Sequence, residues 1–397
     1  MSNKRVIQNI FRYYIARNPG KKMSLKDIKA VEAITQCQTM ARGFNILSCP
    51  DHHSDKIQTH ACRHRSCPIC ADKSRHQWIE AEKQRLINCP HYHVIFTLPH
   101  EYLNLWQYNR KWFTRQLFKA CRDTLIELMK DPKYLGVTPG LLMTLHTWGR
   151  QLNYHPHIHC LVTAGGLTEK NEWKSVKGDF LLPIRVVKSL YRGKLQAWIK
   201  AAIQADELVI PPTIQQPQLL KQHRQLNQKG WSVRIQEKYE HGRGVALYLA
   251  RYMKGGPIKP GQITCLGQEI AFQYKDHRDN TRKQRRMSVD DFVKKLLWHV
   301  PENGIHVVRH YGLYASKNKI RREVYQGYRP TPQSNGRTLK DAVHWRCEEC
   351  GALMQRKYST YSGRDYENSL IESLWHKIVQ QDVETDRSNK EVYHRWR

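Results

Sequence analysis

"LNYHPHIHCLVTAGG", Leu152 to Gly166, sets histidines at every second position and then runs apolar into two glycines. Successive side chains of a strand point to opposite faces, so His155, His157 and His159 share one face. The apolar continuation that stops at Gly165 and Gly166 has the pattern of a buried strand. A row of imidazoles on one face is either a polar seam or a metal site, since neutral imidazole is the commonest metal ligand. Upstream, "LLMTLHTWG" (Leu141–Gly149) reads as a partner strand, joined by the polar turn "RQLN" (Arg150–Asn153). If that turn closes a hairpin with Gly149 opposite Tyr154, His146 lies opposite His157, within reach of a shared ion. A one-residue slip would turn His146 away and leave Gln151 as the competing third donor.

The chain has 397 residues, enough for two or three domains with a real core. Lys and Arg number 66 against 35 Asp and Glu, a formal charge of +31 spread along the whole length. Such a field suits a polyanion, nucleic acid before an anionic membrane. There is no signal peptide and no apolar run near ~18 residues, so a soluble intracellular protein is expected, with no membrane partner. Eleven cysteines in a reducing compartment point to zinc rather than disulfides.

Five of those cysteines fall in residues 37–70. Cys49-x2-His52 and Cys67-x2-Cys70 are two ligand pairs at zinc-knuckle spacing, each pair aimed by a tight turn; His53 can replace His52. Cys37, Cys62, Cys347 and Cys350 remain as a possible second site tying the C-terminal "CEEC" to the first cluster. Around these motifs the reading gives a helical N-terminal segment (1–30) and a polar helix from Ala71 to Leu86. A strand "HYHVIFTLP" follows, then helices over 101–130 and 186–206 and a Gln-rich loop over 213–230. "SVDDFVKKLLWHV" is a helix capped by Ser288, and 318–343 is a basic linker.

"GVALYLARYMKG" reads as a helix ending at Gly255 and Gly256, with Tyr248 and Tyr252 on one face and Arg251 and Lys254 beside them. Tyrosines so spaced are usually core or rim packing. A phenol can also attack a phosphodiester, if a metal polarises the phosphate and nearby cations stabilise the phenolate.

At these residues the chain resembles the two-tyrosine, HUH-type (His-hydrophobic-His) rolling-circle transposases of bacterial insertion sequences. This is the insertion-sequence-ninety-one type, distantly related to the Helitrons. The resemblance runs in order through "SCPICADKSRHQWI", "HVIFTLP", "LHTWGRQLNYHPHIHCLVTAGG", "YLARYMKGGPI" and "MSVDDFVKKLLWHVPENGIHVVRHYGLYA", roughly residues 30–355. It implies an α+β fold: a small zinc-binding DNA-recognition domain (31–86), then an HUH nuclease domain (87–317) and a C-terminal unit (318–397). In the HUH domain an antiparallel sheet with packed helices carries the His-x-His strand at its centre. It implies His157 and His159, with Mg²⁺ or Mn²⁺, as the catalytic metal ligands, and Tyr248 and Tyr252 as nucleophiles. Single-stranded DNA of the element ends and target would be the substrate, and host replication machinery would supply the helicase. The setting implied is the bacterial cytoplasm, near the nucleoid. A departure from the family pattern is His52, where relatives usually carry a nearby cysteine. Two other readings fit the same motifs: a plasmid replication initiator or relaxase, and a non-catalytic zinc-containing DNA-binding regulator.

Overall fold

Long apolar repeats at helical spacing and long alternating strands decide the larger half of this protein. The computed structural model describes residues 5–240, 243–249, 256–266, 268–276, 279–318 and 345–360. In chain order the elements begin with helices α1 (Val6–Arg17) and α2 (Leu25–Gln36), strands β1 (Phe44–Ser48) and β2 (Asp55–Thr59), and helix α3 (Pro68–Arg85). Strand β3 (His91–Thr97), helices α4 (Leu103–Tyr108) and α5 (Arg110–Lys130), and strands β4 (Thr138–Trp148), β5 (Tyr154–Leu167) and β6 (Trp173–Ser175) follow. Next come helices α6 (Ile184–Gln204) and α7 (Gln216–Leu226), strand β7 (Val233–Tyr239) and helix α8 (Arg243–Tyr248). The last are strands β8 (Ile263–Leu266), β9 (Glu269–Lys275) and β10 (Arg282–Ser288), helix α9 (Val289–Trp298), and strands β11 (Val308–Gly312) and β12 (Gln355–Thr360).

The described residues within 75–255 and 301–333 form one compact unit. Its six-stranded antiparallel sheet has the order β11-β4-β5-β3-β7, with β6 added to β5, so the histidine strand is central. Cross-strand neighbours share a face, and the two faces differ sharply. One carries Tyr92, Val94, Phe96, Leu141, Met143, Ile158, Cys160 and Val162 against the buried stripes of α5 (Phe113, Leu117, Cys121, Leu125) and α6 (Val187, Tyr191, Leu195, Ile199). This is the main core. The opposite face bears Leu142 and Leu161, packed with Val245, Tyr248 and Leu249 of the α8 region and with Leu313 and Tyr314. It also bears the histidines.

The segment 213–230 is not a loop. Residues 216–226 are helical, with a reciprocal Gln215–Gln218 capping box and a proline in the first turn. Leu219, His223 and Leu226 are buried at helical spacing, and Gln is a good helix former. The Gln-rich composition hid this short apolar stripe.

The described residues within 1–74, 256–300 and 334–397 form the second unit. The N-terminal segment holds two helices rather than one, the second capped by Ser24, whose Oγ accepts from the Asp27 N–H at 3.4 Å. Buried Gln8 on α1 donates to the carbonyls of Ile34 and Cys37, each at 2.9 Å, and so fixes the end of α2. Two three-stranded antiparallel sheets complete the unit, β12-β1-β2 and β10-β9-β8. α9 packs on the second, Phe292 against Phe272 at 6.3 Å, and is capped by Ser288 as the sequence predicts. The sequence reading had none of β1, β2, β8, β9, β10 or β12. Among the described residues no helix is long and apolar enough to cross a membrane.

Candidate functional site

The β4–β5 hairpin turns at Gly149–Asn153, where the Gly149 N–H donates to the Asn153 carbonyl at 2.9 Å and Leu152 takes a left-handed φ of 57°. The expected pairing of Gly149 with Tyr154 is displaced by one residue: Trp148 faces Tyr154 instead. A bulge then restores the frame, because β5 spends three residues, and β4 only two, before His146 meets His157. The extra residue falls at His155–Pro156, and proline has no N–H to give the ladder, so a bulge there costs little.

His146, His157 and His159 are all buried and converge, with one ring nitrogen of each within 4.8 Å of the others. The Nε2 atoms of His157 and His159 are 3.0 Å apart. His157 Nδ1 is 2.5 Å from the His155 carbonyl, which can only accept. Neutral His157 is therefore protonated at Nδ1 and turns its Nε2 lone pair toward His159. Two nitrogens ~2.1 Å from one ion, at right angles, would stand ~3 Å apart, so the donor set fits a shared cation. Burial foremost, then the charge of His146, holds His157 and His159 well below the ordinary imidazole range. Both stay neutral, the form that ligates. His155 is left outside the trio, and Gln151 lies in the turn.

One residue of this site escaped the sequence reading. His93, on β3, places Nε2 2.8 Å from His159 Nδ1. Burial, then His146, lowers its pKa to about 4. Its ring meets Tyr248 edge-on at 4.9 Å between centroids, and Tyr248 also meets Tyr239 at 5.5 Å. His93 thus stands between the trio and the one nucleophile candidate that is described. The signal was present in His91-x-His93, the same alternation as His157-x-His159. Tyr248 is 0 % exposed. Tyr252, Arg251 and Lys254 lie outside the described residues.

The cysteines sort into two clusters, and not as their spacing suggested. Cys67 and Cys70 converge with Cys37 and Cys62, whereas Cys49 converges with His53, Cys347 and Cys350. His52 belongs to neither: it takes a left-handed φ of 59° at the tip of the Cys49–Ser54 loop. In the first cluster Cys70 Sγ is 3.4 Å from Cys37 Sγ and 3.7 Å from Cys62 Sγ. Thiolates 2.3 Å from a tetrahedral ion stand ~3.8 Å apart, so four sulfurs so placed fit zinc. Spacing alone failed because α2 delivers Cys37 from a helix end that no local motif marks.

Residues 6–98 match the family model described as "Transposase zinc-binding domain", and residues 140–321 match the one described as "Putative transposase". The chain is 29% identical over 329 residues to "Putative transposase y4qJ" of Sinorhizobium fredii, covering 78% of this chain and 80% of that protein. It is 30% identical over 355 residues to "Transposase for insertion sequence element IS801" of Pseudomonas savastanoi pv. phaseolicola, covering 83% of each. The chain belongs to the insertion-sequence-ninety-one family of transposases. No solved structure matches the transposase. The first cysteine cluster lies wholly inside its matched zinc-binding domain, and the histidine trio lies inside the second matched region.

Proposed function

We propose that the transposase nicks and rejoins single-stranded DNA at insertion-sequence ends, through 5′-phosphotyrosine intermediates, in rolling-circle transposition. The observation that carries the reading is the chain of contacts from the histidine trio through His93 to Tyr248. His146, His157 and His159 would hold Mg²⁺ or Mn²⁺, with phosphate and water oxygens completing the shell; the bound ion supplies Lewis-acid polarisation of the scissile phosphate. The phenol oxygen of Tyr248 or Tyr252 attacks phosphorus and loses its proton. The bond to the 3′ oxygen breaks, and that oxygen takes up a proton. A 5′-phosphotyrosine and a free 3′-OH result, and attack by a 3′-OH on the phosphotyrosine regenerates the phenol. Arg251 and Lys254 are assigned to the DNA backbone on sequence grounds.

The complete burial of Tyr248 favours a second reading for that residue, a packing role, with Tyr252 alone as nucleophile. Labelled single-stranded element ends incubated with Mn²⁺ and run on denaturing gels separate the cases. The Tyr248→Phe, Tyr252→Phe double variant should give no covalent adduct. A nucleophilic Tyr248 predicts that Tyr248→Phe blocks transposition; a packing Tyr248 predicts normal transposition, because the ring is kept. A double variant that still forms the adduct refutes the tyrosine mechanism.

A further inference from the structure

The matched zinc-binding domain ends at residue 98 and holds only half of the second cysteine cluster. We propose that Cys49, His53, Cys347 and Cys350 form a second structural zinc site, which fastens a C-terminal knuckle onto the N-terminal zinc-binding domain.

Four donor atoms of these residues lie within 4.8 Å of one another. Cys49 Sγ is 3.5 Å from Cys350 Sγ and 3.7 Å from His53 Nδ1. The sulfurs are too far apart for a disulfide, ~2.05 Å, and close to the ~3.8 Å edge of a zinc tetrahedron. Three thiols and an imidazole are a soft set that selects zinc over the hard ions of a phosphoryl-transfer site. Binding releases the thiol protons, so the site holds its ion as thiolates.

Each half is built as a knuckle. In the first, the Cys49 N–H donates to the Ser54 carbonyl at 3.0 Å, and the His52 N–H donates to the Cys49 carbonyl at 3.0 Å. In the second, the Cys347 N–H donates to the Ala352 carbonyl at 2.9 Å, and the Gly351 N–H donates to the Cys347 carbonyl at 3.0 Å. Gly351 takes a φ of 72°, a conformation that glycine adopts without strain. The hydroxyl of Ser54 lies 3.6 Å from Cys347 Sγ, and Lys56 pairs with Glu348. These contacts bring the halves together with donors already converging.

The site closes a sequence separation of 301 residues. It sits at the end of the β12-β1-β2 sheet, where Ser48 pairs with Gln355 and with Asp55. β12 extends the sheet through β1, which a chain cut after residue 98 cannot supply with this neighbour. The two clusters also differ in access. Cys37, Cys62 and Cys67 are buried in the first, while His53 and Cys350 are exposed in the second. The second ion should therefore leave first.

Zinc content of the purified full-length chain, measured by mass spectrometry, tests this independently of nicking. Two zinc ions per chain are expected, one of them released quickly to a chelator. Cys347→Ser with Cys350→Ser should hold one ion. His53→Ala should lose the labile ion, and His53→Cys should regain it. Hydrogen exchange should quicken over 44–48 and 355–360 when the labile ion leaves. One ion in the unaltered chain, or two retained by the Cys347→Ser, Cys350→Ser variant, would overturn the site.

Discussion

At the scale of single residues, the proposed metal chemistry turns on which nitrogen of each imidazole faces the trio. The His155 carbonyl fixes His157, and His93 fixes the rotation of His159. Outer partners of this kind typically contribute 10–100-fold in metal affinity. His93→Ala should therefore raise the Mn²⁺ concentration needed for half-maximal nicking by ~10–100-fold, and His93→Asn, which keeps an amide donor, should raise it less. An unchanged titration in His93→Ala would remove His93 from the site. Gly140 is decided by space: a Cβ there would sit 2.8 Å from the ring of Tyr314. That ring is held by its hydroxyl, 2.7 Å from His91 Nε2. Gly140→Ala should cost ~1–3 kcal/mol by overpacking, read as a lower denaturant midpoint; a neutral substitution would mean that the ring yields freely.

Among elements, the β4–β5 hairpin and α7 depart from the sequence expectation in opposite ways. In the hairpin the pairing at the turn is displaced by one residue, yet His146 still meets His157, because the bulge at His155–Pro156 absorbs the difference. In α7 the composition looked like linker, yet Leu219 and Leu226 join the main core and the Trp231 indole donates to the Leu226 carbonyl at 3.1 Å. Leu219→Ala should therefore lose ~2–5 kcal/mol in chemical denaturation. A loss below ~0.5 kcal/mol, typical of surface sites, would return the segment to loop behaviour.

For the whole molecule, the proposed function assigns the +31 charge and the histidine trio to separate links, binding and cleavage. Affinity for a polyanion comes from Lys and Arg and falls with salt as counterions are released. Under the proposed function, cleavage would depend on three buried imidazoles, of which His157 and His159 are neutral and add nothing to that field. The His157→Ala, His159→Ala variant should accordingly bind single-stranded element ends with the affinity and salt slope of the unaltered chain, and should not nick them. A changed salt slope would mean that the histidines contact DNA directly; undiminished nicking would end the assignment of the trio to catalysis.

The sequence by itself determined the antiparallel histidine hairpin, the helices with full apolar stripes and the presence of zinc ligands. Each depends on residues close in the chain, where a period of 2 or 3.6 or a Cys-x2-Cys spacing carries the physics. Tertiary structure alone decided which cysteines meet, since Cys37 comes from the end of α2 and Cys347 and Cys350 arrive beside Cys49 from the far end of the chain. It also decided that His93 backs His159 and that β12 completes the first sheet. Those pairings join residues far apart in sequence, and no local period encodes a partner that only folding brings near.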